Sequence, residues 1–464
     1  MSRPIQRRTL LKGLLGAAAA SHMGVARAAL NPFMPLPATA AVPTYKVLEV
    51  FLVGAISHRD TLWVEGATSD HRPARQTFDA ATLADHGMDA QERFYIGDNP
   101  LPDGTSEPIH LGPWATSLPD TWLDRARLLT MAHDRPVHRL AQFASLTGQG
   151  FGREGATSMG AALASSGEQA YVIASCPHRA PHALVPAQKT SPTAPVAPVY
   201  IPFQSTTLTD DLAARATRPH RNEQDALRQA LRNGYATRLT HAQTGTRLRS
   251  AAFDAYEGAA SNLAASDDLL GIVAGHNMSV SQLDFNNENT TTAATIAGDL
   301  FDAGARHVCL LEAGIGDIFD SHNNSDPWEV ASKAISNNAN VTLKRLFDAL
   351  VSADIDLDTT LIVVHSEFGR TWTPSETSDH WSDGYAALVM GGPLGAGQQG
   401  IVGSMSYEAR DVDTVTVASP GAFSPADLRA AMMVAAGCTN LEALLPVDEL
   451  SFSTHHAAFD TLFA

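Results

Sequence analysis

Four short segments concentrate side chains that can bind a cation or move a proton. The first is Ser57-His58-Arg59-Asp60-Thr61 and the second is Asp317-Ile318-Phe319-Asp320-Ser321-His322. Ser366-Glu367-Phe368-Gly369-Arg370-Thr371 and Asp379-His380-Trp381 complete the set. Carboxylates and imidazoles mixed in this way offer the oxygen and nitrogen donors that zinc, manganese and calcium accept. A His and an Asp two apart on a loop, as in His58/Asp60 and Asp320/His322, can both turn toward one ion. Each segment also has an ordinary reading. His58 and Asp60 could form a turn, and Asp320/His322 could be an Asx-type turn. Glu367 and Arg370 could be a buried ion pair, and Asp379 and His380 could simply face solvent.

The elements that would position these residues can be read from the apolar runs. Val47–Val53, Leu128–Ala132, Tyr171–Ala174, His307–Leu311, Leu361–His365 and Tyr385–Met390 are short and apolar, without clean alternation. That pattern fits strands buried on both faces of a parallel sheet. Helical spacing of Leu343, Leu346, Phe347 and Leu350 predicts a helix over Thr342–Val351. Further helices are expected over Thr290–Ala303 and Pro425–Ala436, the latter with Ser424 as N-cap and Pro425 in the first turn. Alternating strands and helices predict one large α/β sandwich with a mostly parallel central sheet. Three of the four reactive segments follow such a strand and the fourth precedes one, and parallel sheets place their sites at the strands' carboxyl ends. Pro181–Gln204 reads as a surface loop and Asp210–Leu269 as a charged helical insertion, so 181–269 would be a cap on the fold.

Composition narrows the function. The chain has 464 residues, with 44% hydrophobic residues, which is ample for a core. Lys and Arg total 32 against 49 Asp and Glu, a formal charge of −17. Nucleic acid is therefore not an expected partner, because phosphate binding needs a basic footprint. Three cysteines, Cys176, Cys309 and Cys438, exclude a disulfide scaffold. Residues 1–28 read as an export signal: Arg7 and Arg8, an apolar stretch from Gly13 to Ala20, then Ala26-Arg27-Ala28 as a small-x-small cleavage site. The apolar run is shorter than the ~20 residues that span a bilayer, so no transmembrane segment is expected in the mature chain. The expected location is the periplasm or beyond, reached through the twin-arginine export machinery, with 29–464 as the mature domain.

The four segments, in this order, resemble the domain-of-unknown-function 1501 family, which is related to the alkaline phosphatase/sulfatase superfamily. Ser57–Thr61 resembles the family's turn after its first strand, and Asp320-Ser321-His322 its Asp-Thr-His. Ser366–Thr371 resembles its most specific signature, and Asp379–Trp381 its Asp-His-Trp. The resemblance implies an alkaline-phosphatase-like three-layer α/β/α sandwich. It also implies a divalent metal held by Asp320 and His322, with His380 and Asp379 near it, Glu367 at a strand-end ligand position, and His58 or Asp60 from the first strand. It implies hydrolysis of phosphate or sulfate esters, hence a small or polymeric anionic substrate, with Arg370 supplying positive charge.

The superfamily's nucleophile is a Ser, Thr or modified Cys at a helix N-terminus. Counting back from Thr147-Gly148, its place here falls at His138, which could be a nucleophile, a metal ligand, a general base or a structural histidine. Ser158, before the helix Met159–Ser165, is the second candidate, with N-capping as its ordinary role. Two further functions remain open: a non-catalytic binding or assembly protein that keeps the fold and a degenerate metal site, and transfer chemistry of the phosphomutase kind.

Overall fold

The computed structural model describes residues 44–65, 78–101, 104–151, 156–166, 168–175, 197–203, 269, 271–273, 276, 287–314, 319–320, 328–370, 380–407, 415–417, 422–438 and 441–464. The export segment, His322, Asp379, Cys176 and most of the expected insertion lie outside these residues.

Eight strands form the central sheet: β1 (Lys46–Leu52), β2 (Ala126–Met131), β3 (Ala170–Ala174), β4 (Val199–Pro202), β5 (His307–Glu312), β6 (Thr360–Ser366), β7 (Tyr385–Gly391) and β8 (Gly400–Val402). Their spatial order is β8-β2-β7-β6-β1-β5-β3-β4. Strand β1 lies in parallel between β5 and β6. Only β7 runs against its neighbours, β2 and β6. The chain therefore presents the ends of β1, β2, β5 and β6, and the start of β7, along one edge.

All six expected strands are present. The two that sequence patterning missed, β4 and β8, are the short edge strands. Strand β4 falls inside the stretch expected to be surface loop, where Val199, Tyr200 and Ile201 pair with Tyr171, Val172 and Ile173.

Helices cover both faces, and a single helical turn, α1 (His58–Thr61), follows β1. Leu48, Val50 and Leu52 of β1 pack into a core with Ala294, Ile296 and Ala297 of α4 (Asn287–Asp302) and Leu343, Leu346 and Phe347 of α5 (Trp328–Ser352). Val47, Leu361 and Val363 face the other way, onto α3 (Met159–Ser165), α6 (Pro425–Ala435) and α7 (His455–Phe463). Leu146 of α2 (His138–Thr147) meets Phe51 and Leu311 on that second face. The result is a three-layer α/β/α sandwich with a mostly parallel sheet. Helix α6 starts as expected: Ser424 and Asp427 form a reciprocal capping box and Pro425 opens the first turn.

One charged group sits in the middle of this apolar sheet. Glu49, the one carboxylate in the run Lys46-Val-Leu-Glu-Val-Phe-Leu52, is buried. Arg429 of α6 meets it with two hydrogen bonds, Nη1 to Oε2 at 2.9 Å and Nη2 to Oε1 at 2.5 Å. His307 and His365, from the strands on either side, add contacts at 3.1 and 2.9 Å. Burial opposes the Glu49 charge, but Arg429 and the two histidines outweigh it and hold its pKa well below the usual carboxylate range. Arg429 also donates to the Ser145 carbonyl of α2, at 2.6 Å. The buried ion pair thus ties α2 and α6 to β1.

Among the described residues, no helix is long and apolar enough to cross a membrane. Cys309 and Cys438 are free thiols.

Candidate functional site

Strand ends create the site. β2 delivers the chain to α2, whose first residue is His138. β6 ends directly before Glu367. The chain beyond β5 returns at Asp320, and the turn after β1 contributes Gly54 and Ala55.

Glu367 is the hub. It is fully buried, and its Oε1 accepts hydrogen bonds from the Gly54 N–H at 2.8 Å and Gln142 Nε2 at 3.0 Å. His138 Nδ1 lies 2.8 Å from the same oxygen, and Ser366 Oγ donates to Oε2 at 3.1 Å. Burial pushes this carboxyl upward, but the His138 hydrogen bond and charge, then Gln142, bring its pKa below the ordinary value. An ionised carboxylate only accepts, so Nδ1 of His138 carries the proton and Nε2, itself a buried atom, is the other ring nitrogen. That Nε2 lies 3.5 Å from Asp320 Oδ1. Burial works against a charged His138, yet hydrogen bonds with Asp320 and Glu367 prevail and raise its pKa.

Arg370 holds the opposite side. It is almost wholly buried, and its Nε donates to the Ala55 carbonyl at 3.0 Å. Its Nη2 donates to the Gly54 carbonyl, to the Phe319 carbonyl at 3.3 Å, and to Asp320 Oδ1 at 3.0 Å. These bonds secure a strained turn. Gly54 has φ +111° and Ala55, a non-glycine residue, has φ +68°, a conformation costing about 1–3 kcal/mol outside glycine. A Cβ on Gly54 would fall 2.7 Å from the Asp320 backbone nitrogen, so glycine lets the two loops touch. Arg370 thus positions the loops.

Imidazoles and one ring complete the wall. The His138 and His380 rings meet edge-on with centroids 4.2 Å apart, and Phe368 lies 4.9 Å from His138 and 4.3 Å from His380. His380 Nδ1 bonds the Pro136 carbonyl. His133 Nε2 bonds the Glu367 carbonyl at 2.6 Å, while its Nδ1 accepts from the Arg135 N–H at 3.0 Å. Carbonyl and amide fix that tautomer, and burial lowers the His133 pKa, so this ring is a neutral strut. His58 is buried with its ring against Gly369, where a Cβ would come within 2.7 Å of Nδ1.

The structure therefore brings together His138, Asp320, Glu367, Arg370 and His380, with His58 against the same turn. Two expected residues are turned to other work. Asp60 accepts from Ser57 Oγ at 2.7 Å and its charge acts on Arg93. Ser158 caps α3, accepting from the Ala161 N–H at 3.3 Å. His322 and Asp379 lie outside the described residues. Gln142 was not anticipated, although its i+4 spacing from His138 on a helix places both on one face. Gly54 and His133 were not anticipated either, since each acts through contacts to a residue far along the chain.

The implied metal can be tested against this donor set. Among the described residues, no group of three or more His, Cys, Asp or Glu side chains is placed to hold an ion. Glu367 Oε1 already meets three hydrogen-bond partners, and Asp320 Oδ1 faces the Arg370 guanidinium. A ligating carboxylate needs a lone pair directed at the ion, and a fixed cation beside it competes. The described residues alone do not fit a divalent ion.

A family model described as "Protein of unknown function (DUF1501)" matches residues 45–456. No curated protein matches the chain. Among solved structures, the Ps i-CgsB complex with k-i-k-neocarrahexaose is 11% identical, with a TM-score of 0.36, covering 87% of this chain and 76% of that one. The C-terminal periplasmic domain of EcEptC from Escherichia coli, in complex with Zn, is 11% identical with a TM-score of 0.34, covering 86% and 84%. PsFucS1 sulfatase from Pseudoalteromonas sp. is 12% identical with a TM-score of 0.33, covering 94% and 73%.

Proposed function

The chain belongs to the DUF1501 family, and we propose that it is an exported hydrolase of phosphate or sulfate esters in which His138 moves the proton. The observation that carries this reading is the contact between His138 Nδ1 and the buried Glu367 carboxylate, at the start of a ten-residue helix on the carboxyl edge of the sheet. A buried carboxylate fixes the imidazole tautomer and raises its basicity, the arrangement that general-base histidines use. Nε2 then takes a proton from an attacking water as oxygen bonds to phosphorus or sulfur. The same proton passes to the leaving oxygen as its ester bond breaks, so the imidazole returns to its starting state. Arg370 and Glu367 keep the loops and the ring in place throughout. No step is assigned to a metal ion.

Export through the twin-arginine machinery to the periplasm is part of this reading and rests on Arg7, Arg8 and the Ala26-Arg27-Ala28 site. A helical cap over 210–269 belongs to it as well.

A second reading draws on the same bonds. Asp320 and Glu367 meet donors within the protein, which is also what a structural clasp between strand-end loops needs. Such a protein would bind or assemble without catalysis. A panel of aryl phosphates and aryl sulfates distinguishes the two. Release of phenolate by folded wild-type protein supports the hydrolase, and a folded protein that turns over none of the esters contradicts it.

A further inference from the structure

Helix α2 carries the reactive imidazole at one end, and its other end is held by a buried cation that the proposed chemistry does not use. His138, Gln142 and Ser145 stand at i, i+4 and i+7, so they share the helix face that meets the sheet. His138 and Gln142 both reach Glu367 Oε1, at 2.8 and 3.0 Å. One turn further on, the Ser145 carbonyl accepts from Arg429 Nη2 at 2.6 Å. The usual i+4 donor to that carbonyl, the Gln149 N–H, turns instead to Thr147 Oγ1 at 3.2 Å. A last-turn carbonyl left in this way needs another donor, and a cation there also complements the negative end of the helix dipole. Gly148 ends the helix at φ +70°, and a Cβ on it would lie 3.1 Å from Arg429 Cβ. Glycine here both turns the chain and lets the Arg429 stem pass against the helix end.

The two attachments match in spacing. Glu49 and Glu367 project from the same face of the sheet, since Glu49 meets His365 and side chains two apart on a strand share a face. Glu49 is level with Val363 of β6, and from Val363 to Glu367 is four residues, about 13 Å along a strand. From His138 to Ser145 is seven residues, about 10 Å along a helix. One buried carboxylate therefore lies under each end of α2. Glu367 meets its end directly. Glu49 acts through Arg429, which it grips with two hydrogen bonds, and is itself fixed from β5 and β6 by His307 and His365. The helix cannot slide along the sheet without breaking a charge-assisted bond at one end or the other.

We infer that Arg429, oriented by Glu49, is a positioning residue for His138 and acts through α2. It touches neither the imidazole nor a reacting ester. It sets how far α2 lies along the sheet, and so how the His138 ring meets Glu367. Without it α2 pivots about its Glu367 end, and a shift of about 1 Å at a catalytic group can cost about 10²-fold in rate. The effect on rate rests on the proposed hydrolase function; the effect on the imidazole is measured without turnover.

Nuclear magnetic resonance of the full chain with isotope-labelled histidine tests this in wild type, Arg429→Lys and the double variant Arg429→Met/Glu49→Met. The double variant leaves no stranded carboxylate in the sheet. Lysine keeps the charge beside Glu49 but loses the fork that spans Glu49 and the Ser145 carbonyl. Leu346→Ala, a core truncation on the opposite face of the sheet, controls for lost stability. The His138 ring-nitrogen resonances, assigned by their loss in His138→Gln, should move in the double variant at constant pH and stay in place in Leu346→Ala. With a responsive aryl ester, kcat should fall about 10–100-fold with KM little changed. The double variant decides; where it does not fold, Arg429→Lys takes its place. Wild-type His138 resonances in the folded variant overturn the inference, as does a shift that Leu346→Ala reproduces. Failure of both Arg429 variants to fold assigns the pair to stability alone and overturns it too. Moved resonances in a protein that hydrolyses no ester uphold the positioning and contradict the hydrolase, while hydrolysis with unmoved resonances does the reverse.

Discussion

His138 Nδ1 lies 2.8 Å from Oε1 of Glu367, a carboxylate fully withdrawn from solvent. The two residues are 229 positions apart, and the ends of β2 and β6 bring them together. The contact gives the imidazole one proton position and leaves its other nitrogen toward Asp320, so it bears on stability and on chemistry at once.

Replacing the carboxylate tests the first. Glu367→Gln preserves shape but removes the charge, leaving the Gly54 N–H, Gln142 and His138 donors with a weaker acceptor. A loss of about 2–3 kcal/mol is expected, the scale of a buried charge-assisted hydrogen-bond network. Urea unfolding of the variant and wild type measures it; an unchanged midpoint contradicts the hub role.

The pH dependence of stability follows from the two opposite shifts. His138 has a raised pKa, so its contribution is fully present below about 6.5, the ordinary imidazole value, and is lost as pH rises through the raised one. Glu367 has a lowered pKa, so its contribution is present above about 4.3 and is lost as pH falls through the lowered one. Glu49 acts in the same acidic direction. Melting temperature should therefore peak in the mildly acidic window between the two losses. His138→Gln should flatten the alkaline limb, and an alkaline limb identical to wild type would show that His138 gains no proton affinity on folding.

The Glu49–Arg429 pair should show the asymmetry of buried charges. Arg429→Met leaves a carboxylate in the sheet without its strongest partner and is expected to cost about 3–5 kcal/mol. Adding Glu49→Met removes the stranded charge, so the double variant should be more stable than the sum of the singles, by about 1 kcal/mol or more. Additive costs in chemical denaturation would argue that the two residues act independently.

Gly54→Ala tests the loop contact. The substitution places a methyl group at φ +111°, 2.7 Å from the Asp320 nitrogen. Strain alone is worth about 1–2 kcal/mol, and the Asp320 loop must move away from His138. Loss of stability with a displaced His138 imidazole resonance is expected; a variant as stable as wild type would mean that the loops do not touch there.

Much of this was legible in the sequence, for identifiable reasons. Six apolar runs marked six strands because a sheet covered on both faces needs continuous hydrophobicity, and their ends pointed to Asp320, Glu367, Arg370 and His380, whereas His138 was reached only through the family resemblance. The edge strands escaped notice because Val199–Pro202 and Gly400–Val402 are too short to establish a pattern. Glu49 carried a signal that went unread: a lone carboxylate in a doubly buried strand requires a cationic partner. Which cation answers it depends on how α6 packs, and local sequence does not contain that. Asp60 and Ser158 had the right residue types, but local hydrogen bonds to Ser57 and Ala161 engage them.

The most direct measurement is kcat/KM for hydrolysis of a responsive aryl phosphate or sulfate by wild type, His138→Gln, Glu367→Gln and the double variant. His138→Gln should fall about 10²–10⁴-fold, the scale of one lost general base. The double variant should be hardly worse, since residues that act as a unit are not additive. A folded His138→Gln protein that hydrolyses the ester at the wild-type rate would contradict the central claim.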